Sequence, residues 1–383
     1  KAFNRLLHKI RDVTGSLVVR SKPSMNGAQK ILCLGAGGFI GSHLVERLLR
    51  GGHEVTGLDT HDDKLADVRT HPRFHWIHTD ISGHAFDLDA AVAAADLVID
   101  LIAYANPGLY VRMPLEIFRL NFSENLRIAE SCVRHGRRLI QFSSCEVYGK
   151  SIAGVAGDAL KDPEDPRHAT FSEDTSPMIM GPVGKHRWIY ASAKALLERV
   201  LHAYGLEDRL DYSIIRPFNF IGPRIDYLPS EQEGGLPRVF SYFMEALLTG
   251  GTMQLVDGGH QRRTYTYIDD AIDCIARIVE QPAAARRQIF NVGAYGNEIS
   301  IRGLAELMRE IYDERFRLPG QPRASIATIS GRDFYGEGYD DSDRRIPDIT
   351  KAQTLLGWQP RFSVRETVEL TMEYYVRESR REG

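Results

Sequence analysis

The chain has 383 residues, 43% of them hydrophobic and 26% charged, with a formal net charge of -3. That is enough chain to bury a large core, as one big domain or two intimate ones, and a balance so near neutral gives no reason to expect a nucleic acid or a membrane surface as partner. No apolar run reaches the length of a membrane-spanning helix, and the scattered Cys33, Cys132, Cys145 and Cys274, without a CxxC pair or a metal-like cluster, fit reduced thiols in the cytoplasm.

Residues 1–28 form a basic N-terminal arm, and Lys1 to Lys30 carry seven Lys or Arg against one acid, Asp12. A targeting peptide, an arm packing on a partner subunit and a leader ahead of Met25 all fit that composition. The first core element is the apolar run Ile31-Leu32-Cys33-Leu34, which reads as a buried parallel strand. It leads into Gly35-Ala36-Gly37-Gly38-Phe39-Ile40-Gly41, then into a helix whose Leu44, Leu48 and Leu49 share one face. Strand, glycine turn and helix N-terminus make a seat for a pyrophosphate. Glycine lets the backbone approach the phosphates, and the unpaired N–H groups and dipole of the helix favour negative charge. A second strand ends on Asp59, about 20 residues beyond the glycines, where a carboxylate accepts hydrogen bonds from an adenosine ribose. It repels a 2′-phosphate, and no Arg follows directly, so the reading is NAD rather than NADP.

The alternation continues. Phe74–His78 is a third strand leading to Asp80 and Ile81, where an adenine is expected. Asp96–Ile102 is a fourth, with the cofactor-binding candidates Leu101 and Ala103 at its end. A helix is expected over 115–135, a strand over 138–142 that delivers Ser143-Ser144-Cys145-Glu146, a loop or lid over 151–186, and a helix from Trp188. A strand at 212–216 precedes Pro217-Phe218-Asn219. After it the spacing predicts helices around 236–249 and 268–280 and a short strand at 253–256. Repeated strand–helix units with buried apolar strands specify an α/β fold, a Rossmann-type doubly wound parallel sheet, with a smaller C-terminal substrate-binding lobe. The division expected is a dinucleotide-binding domain over 29–217 and a lobe over 218–383 with segments returning to the first domain.

Tyr190 and Lys194 stand four apart at the start of a helix and so share a face. An ammonium beside a phenol lowers its pKa and makes it a usable base. Ser144, at a strand end, is placed to hydrogen-bond the same substrate hydroxyl. A Tyr-xxx-Lys pair alone is common on surfaces, and it gains meaning here from the dinucleotide fold before it.

Over residues 30–380 the chain resembles the extended short-chain dehydrogenase/reductase family, whose glycine motif has the spacing of Gly35, Gly38 and Gly41. Ser143–Lys150, Arg187–Tyr190, Arg216–Asn219 and Tyr335–Asp348 are similar to the UDP-apiose/UDP-xylose synthases and, less closely, to the UDP-glucuronate decarboxylases of the aminoarabinose–lipid A pathway. The resemblance implies an NAD-dependent enzyme that oxidises C4 of UDP-glucuronate, loses CO₂ from the 4-keto acid and re-reduces the product to UDP-xylose, with a UDP-4-keto-pentose or UDP-apiose as other outcomes. By the same resemblance Arg345 binds the carboxylate and Glu146 manages proton or water traffic. Asn219 reaches the diphosphate, Arg238 and Arg263 neutralise it, Val256 lines the uridine pocket, and Tyr110 and Tyr339 contact the substrate. Of the adjacent Arg262 and Arg263, the second is expected to face inward. Cys145 is either an active-site thiol or a packed strand-end residue. The cysteine that the plant-type enzymes carry after the fourth strand is here Ala105, which puts ring contraction in doubt. A UDP-hexuronic acid C4 epimerase and a non-catalytic NAD-binding sensor are the alternatives; a 4,6-dehydratase is disfavoured because Cys145 stands where that chemistry wants an aspartic acid. No metal is expected. A homodimer through helices near 115–135 and 190–205 is implied.

Overall fold

The computed structural model describes residues 27–83, 85–231, 238–335 and 340–382; the N-terminal arm up to residue 26 and Tyr339 lie outside the described residues. Seven parallel strands form the central sheet. They are β1 (Lys30–Leu34), β2 (Glu54–Asp59), β3 (Phe74–His78), β4 (Leu97–Asp100), β5 (Arg138–Phe142), β6 (Tyr212–Pro217) and β7 (Gln288–Val292), in the spatial order β7-β6-β5-β4-β1-β2-β3. Successive side chains of a strand point to opposite faces, and both faces are covered. Ile31 and Cys33 of β1 join Ile99, Ile140 and Ile215 against α1 (Phe39–Arg50) and the helix Ile268–Glu280. Leu32 and Leu34 join Val98, Leu139 and Ile214 against α2 (Asn125–His135) and α3 (Trp188–Leu206). Two-sided burial is why these strands read as unbroken apolar runs, each fully buried aliphatic side chain contributing about 1.5–3 kcal/mol of transfer free energy. The doubly wound parallel sheet is the expected fold class.

Strand order reverses between β1 and β4, and ligands of such sheets gather in the crevice at that point. The glycine turn, Leu101–Ala103 and Ser143-Ser144 all leave the sheet on this side.

Two features depart from expectation. The helix expected over 115–135 is broken into Pro114–Phe118, a π turn at Arg119–Glu124, and α2. Asn121, buried in the wide turn, donates from Nδ2 to the Ile117 carbonyl at 2.9 Å; π turns inside helices frequently mark functional sites. Residues 151–186, expected as a mobile loop or a lid, are stitched down. Thr170–Phe171 pairs in parallel with Ile346–Pro347, and the indole Nε1 of Trp188 donates to Asp340 at 3.0 Å. The strand β7 comes from residues beyond 218 and completes the sheet next to β6. Among the described residues no helix is long and apolar enough to cross a membrane.

Candidate active site

The glycine turn is built for close approach. Gly35 has φ +84°, in the left-handed region that favours glycine, and a Cβ on it would lie 3.0 Å from the Leu101 carbonyl carbon. A Cβ on Gly41 would lie 2.2 Å from the Gly35 carbonyl oxygen, so α1 starts directly under the turn. The N-cap is Gly38, no side chain caps the helix, its first turn holds no acid, and Arg47 and Arg50 sit at the far end. The N–H groups of Phe39, Ile40 and Gly41 therefore face outward without an intrahelical acceptor, at the positive end of the dipole. Asp59 closes the cradle: its Oδ2 accepts from the Gly37 N–H at 3.0 Å and its Oδ1 from the Thr60 N–H at 2.7 Å. A cavity lined by Gly37, Gly38, Asp59, His61, Asp63, Lys64, Tyr227 and Glu231 adjoins it. These residues fit a dinucleotide, with pyrophosphate on the helix start and ribose on Asp59. Around the expected adenine, Ile81 is buried, while the exposed Asp80 carboxylate accepts from the N–H and Oγ of Ser82 at 2.9 and 2.6 Å. Leu101 and Ala103 are half-buried beside the turn.

One prediction belongs here. Asp59→Ala removes a charge-assisted acceptor of about 1.5–3 kcal/mol, so NAD affinity falls about tenfold or more and discrimination against NADP shrinks. Calorimetric titration of the variant with both dinucleotides checks it, and unchanged affinities would remove Asp59 from the site.

Across the crevice, Tyr190 on the first turn of α3 is 3% exposed, and its ring stacks on Tyr110 with centroids 4.5 Å apart and planes at 6°. Burial pushes its phenol above the ordinary tyrosine range, against hydrogen bonds with Ser144 and Tyr110. Lys194 is 1% exposed and donates from Nζ to Asn125 Oδ1 and to the Phe142 carbonyl, both at 3.0 Å. Burial lowers its ammonium to about 8. In the protein alone burial keeps the phenol neutral, with the hydrogen bonds to Ser144 and Tyr110 acting in the opposite direction.

The other wall is a cluster of ions. The Glu146 carboxylate sits between two buried guanidiniums, with Oε1 accepting from Arg345 Nη2 at 2.7 Å and Oε2 from Arg187 Nη1. Arg187 also reaches Asp341 Oδ1 at 2.9 Å, and Asp341 Oδ2 accepts from Arg263 Nη2 at 2.7 Å. Burial would raise Glu146, but Arg187 and Arg345 overcome it and hold the carboxyl well below the usual carboxylate range. Asp341 is likewise held down, against burial, by Arg263, Arg187 and Arg345. Three guanidiniums and two carboxylates thus interlock among the described residues. Arg345 is 1% exposed, and its Nε and Nη1 find no hydrogen-bond partner among the described residues.

Several expected roles change with this geometry. Arg345 and Glu146, expected to act side by side, are ion-paired. Arg263 turns inward and Arg262 outward to Glu298, but Arg263 is spent on Asp341 and the Ser342 carbonyl instead of standing ready for a diphosphate. Arg238 grips Asp226 through Nε and Nη2 at 2.9 and 2.8 Å, with its guanidinium 5.6 Å from the Phe39 ring centroid. Asn219, at φ +40°, donates from Nδ2 to the Thr264 carbonyl at 3.3 Å. Val256 ends the strand Thr252–Val256 just before a turn through Asp257, Gly258 and Gly259. Cys145 packs with Val147, Tyr148, Phe171, Ala195 and Phe218, and burial pushes its thiol up, so it is no thiolate. Arg187 and Asp341 were not expected as site residues. The signal for Arg187 was its place three residues before Tyr190.

Comparison with known proteins agrees with this geometry. The model of the "NAD dependent epimerase/dehydratase family" matches residues 31–293. UDP-D-apiose/UDP-D-xylose synthase 1 of Arabidopsis thaliana is 41% identical over 352 residues, covering 90% of this chain and 90% of that protein. The UDP-D-apiose/UDP-D-xylose synthase of Oryza sativa subsp. japonica is 41% identical, covering 90% of this chain and 88% of its own. Among solved structures, the PbgP3 protein from Burkholderia pseudomallei superposes with a TM-score of 0.77 at 34% identity, over 92% of this chain and 99% of that one.

Proposed function

The chain belongs to the NAD dependent epimerase/dehydratase family, and from that premise we propose that it is a UDP-glucuronate decarboxylase yielding UDP-xylose. When bound, NAD supplies a hydride acceptor that turns an alcohol carbon into a ketone and a donor that reverses the change. Everything else falls to the chain. Tyr190, as phenolate, takes the proton of the sugar C4 hydroxyl, and Ser144 donates to the same oxygen. The ketone formed there is β to the C5 carboxylate. The C5–C6 bond then breaks with its electron pair moving into the carbonyl, CO₂ leaves, and the enolate oxygen faces Tyr190 and Ser144. A proton returns to C5 before the C4 ketone is reduced.

The observation that carries the reading is Arg345, fully buried, with Nε and Nη1 lacking a hydrogen-bond partner among the described residues. Leaving buried donors unmet is costly, and a substrate carboxylate would accept from them. Ala105 offers no thiol for ring contraction, and Cys145 is buried and neutral, so UDP-xylose or its 4-keto precursor is the product rather than UDP-apiose. Residues 218–383 supply most of the nucleotide-binding lobe, with Asn219, Arg238 and Val256 on it. Incubation with UDP-glucuronate and NAD⁺, with the sugar followed by NMR, tests the reading. UDP-xylose signals are expected, and UDP-galacturonate would replace the proposal with epimerization.

The protein acts as a homodimer in the cytoplasm in this reading. Leu115 and Leu196 are 62% and 46% exposed, and half-buried Phe118, Phe122, Leu126, Ile189 and Val200 lie on the same two helical segments. All four cysteines are free and buried, as suits a reducing compartment. Sedimentation should give a dimer at micromolar concentration and a monomer for Leu115→Glu/Leu196→Glu; a monomeric parent protein would end this part of the proposal.

A further inference from the structure

Lys194 raises a question that its hydrogen bonds do not answer. Its two acceptors, the Asn125 amide oxygen and the Phe142 carbonyl, are neutral, and they satisfy N–H donors without compensating a buried charge. Two carboxylates act on it, those of Asp100 and Glu198. Glu198, one turn along the same helix, is already spent: Oε1 accepts from Arg216 Nε at 3.0 Å and Oε2 from Arg216 Nη2 at 2.6 Å. Asp100 is not spent on a cation. It is 0% exposed at the end of β4, and the partners the structure gives it are neutral, Gln141 Nε2 at 2.9 Å and the Ile102 N–H at 3.0 Å.

Those partners close a ring. From Asp100 the path runs through Gln141 Nε2, which also donates to the Phe142 carbonyl at 3.3 Å, and from that carbonyl to Lys194 Nζ. It returns through Asn125, whose Nδ2 donates to the Ile102 carbonyl at 3.2 Å, and Ile102 N–H leads back to Asp100. The π turn just before α2 sets where Asn125 enters it. We propose that Asp100 is a positioning residue: its buried carboxylate is the counter-charge that keeps Lys194 an ammonium beneath Tyr190, with the hydrogen-bonded ring fixing the two in place. The proposal rests on Tyr190 and Lys194 carrying the reaction.

The charge balance agrees. Burial raises Asp100 to about 6 against the pull of Lys194, and burial lowers Lys194 to about 8 against the pull of Asp100 and Glu198. Among the described residues two thiols also feel the Asp100 charge, Cys33 on β1 and Cys132 on α2, and burial pushes both up, so they are neutral. Between about pH 6 and pH 8 the site thus holds one carboxylate and one ammonium. Above that window Lys194 loses its proton and activity falls.

Asp100→Asn removes the charge and keeps the shape, so the alkaline limb of kcat/KM against pH moves to lower pH by about one unit or more, the tenfold change in protonation that one unit represents. The Lys194 side chain, followed by NMR on lysine labelled with carbon-13 at Cε and assigned by its absence in Lys194→Met, titrates lower by the same amount. The NMR arm does not depend on turnover, so a wild-type protein without decarboxylase activity would sink the functional reading while leaving this pairing measurable. A folded Asp100→Asn protein with unmoved Lys194 titration overturns the proposal. If Asp100→Asn and Asp100→Val both fail to fold, Lys194→Met added to each decides: relief of the defect supports the pairing, and no relief contradicts it.

Discussion

Tyr190→Phe lowers the rate of CO₂ release from UDP-glucuronate by about 10²–10⁴-fold, the range over which a positioned proton acceptor acts. The phenyl ring keeps the stack on Tyr110 and the buried packing of α3, so the fold and the NAD affinity stay near wild type. Only the oxygen that hydrogen-bonds with Ser144 and Tyr110 is lost. Because burial makes the phenol reluctant to ionise in the protein alone, the proton must leave when substrate and cofactor are in place and the Lys194 ammonium is at hand. A variant releasing CO₂ at the parent rate would remove Tyr190 from the chemistry.

Arg345→Met has the second-largest effect, and it tests whether the buried cluster receives the substrate carboxylate. The methionine fills much of the volume of the guanidinium stem, while Arg187 and Arg263 still balance Glu146 and Asp341 pair for pair. Loss of one preorganised donor group costs about 10²–10³-fold in rate, so CO₂ release falls by that factor while NAD binding, on the far side of the crevice, does not. Parallel measurement of kcat/KM for UDP-glucuronate and of NAD affinity checks both halves. Unchanged turnover would mean that the buried cluster is structural and the carboxylate binds elsewhere.

How much of this was legible in the sequence follows from how local each signal is. The glycine turn, Asp59 and the Tyr190–Lys194 pair lie within single strand–turn–helix units or one helical turn, where spacing and geometry are the same thing. The parallel sheet was legible because strands buried on both faces must be apolar throughout. The ion cluster was not, because Glu146, Arg187, Arg263 and the pair Asp341 and Arg345 come from four separate stretches that only the topology brings together; resemblance pointed to two of these residues as catalytic and to Arg263 in a different role. The stitching of residues 151–186 was hidden because a two-residue pairing such as Thr170–Phe171 with Ile346–Pro347 has no period to read. The π turn at Arg119–Glu124 leaves the apolar stripe of a helix almost unchanged, so the sequence shows one rod where the structure has an offset that carries Asn125 to Lys194. Spacing likewise says that Lys194 shares a face with Tyr190 but not which charges surround it in the interior.

The most direct measurement of the account uses UDP-glucuronate labelled with carbon-13 at the carboxylate, incubated with the protein and NAD⁺ and followed by NMR. The label leaves the nucleotide sugar and appears as dissolved CO₂ and bicarbonate while unlabelled UDP-xylose accumulates. Label retained on a UDP-hexuronate, with turnover at C4, would contradict it.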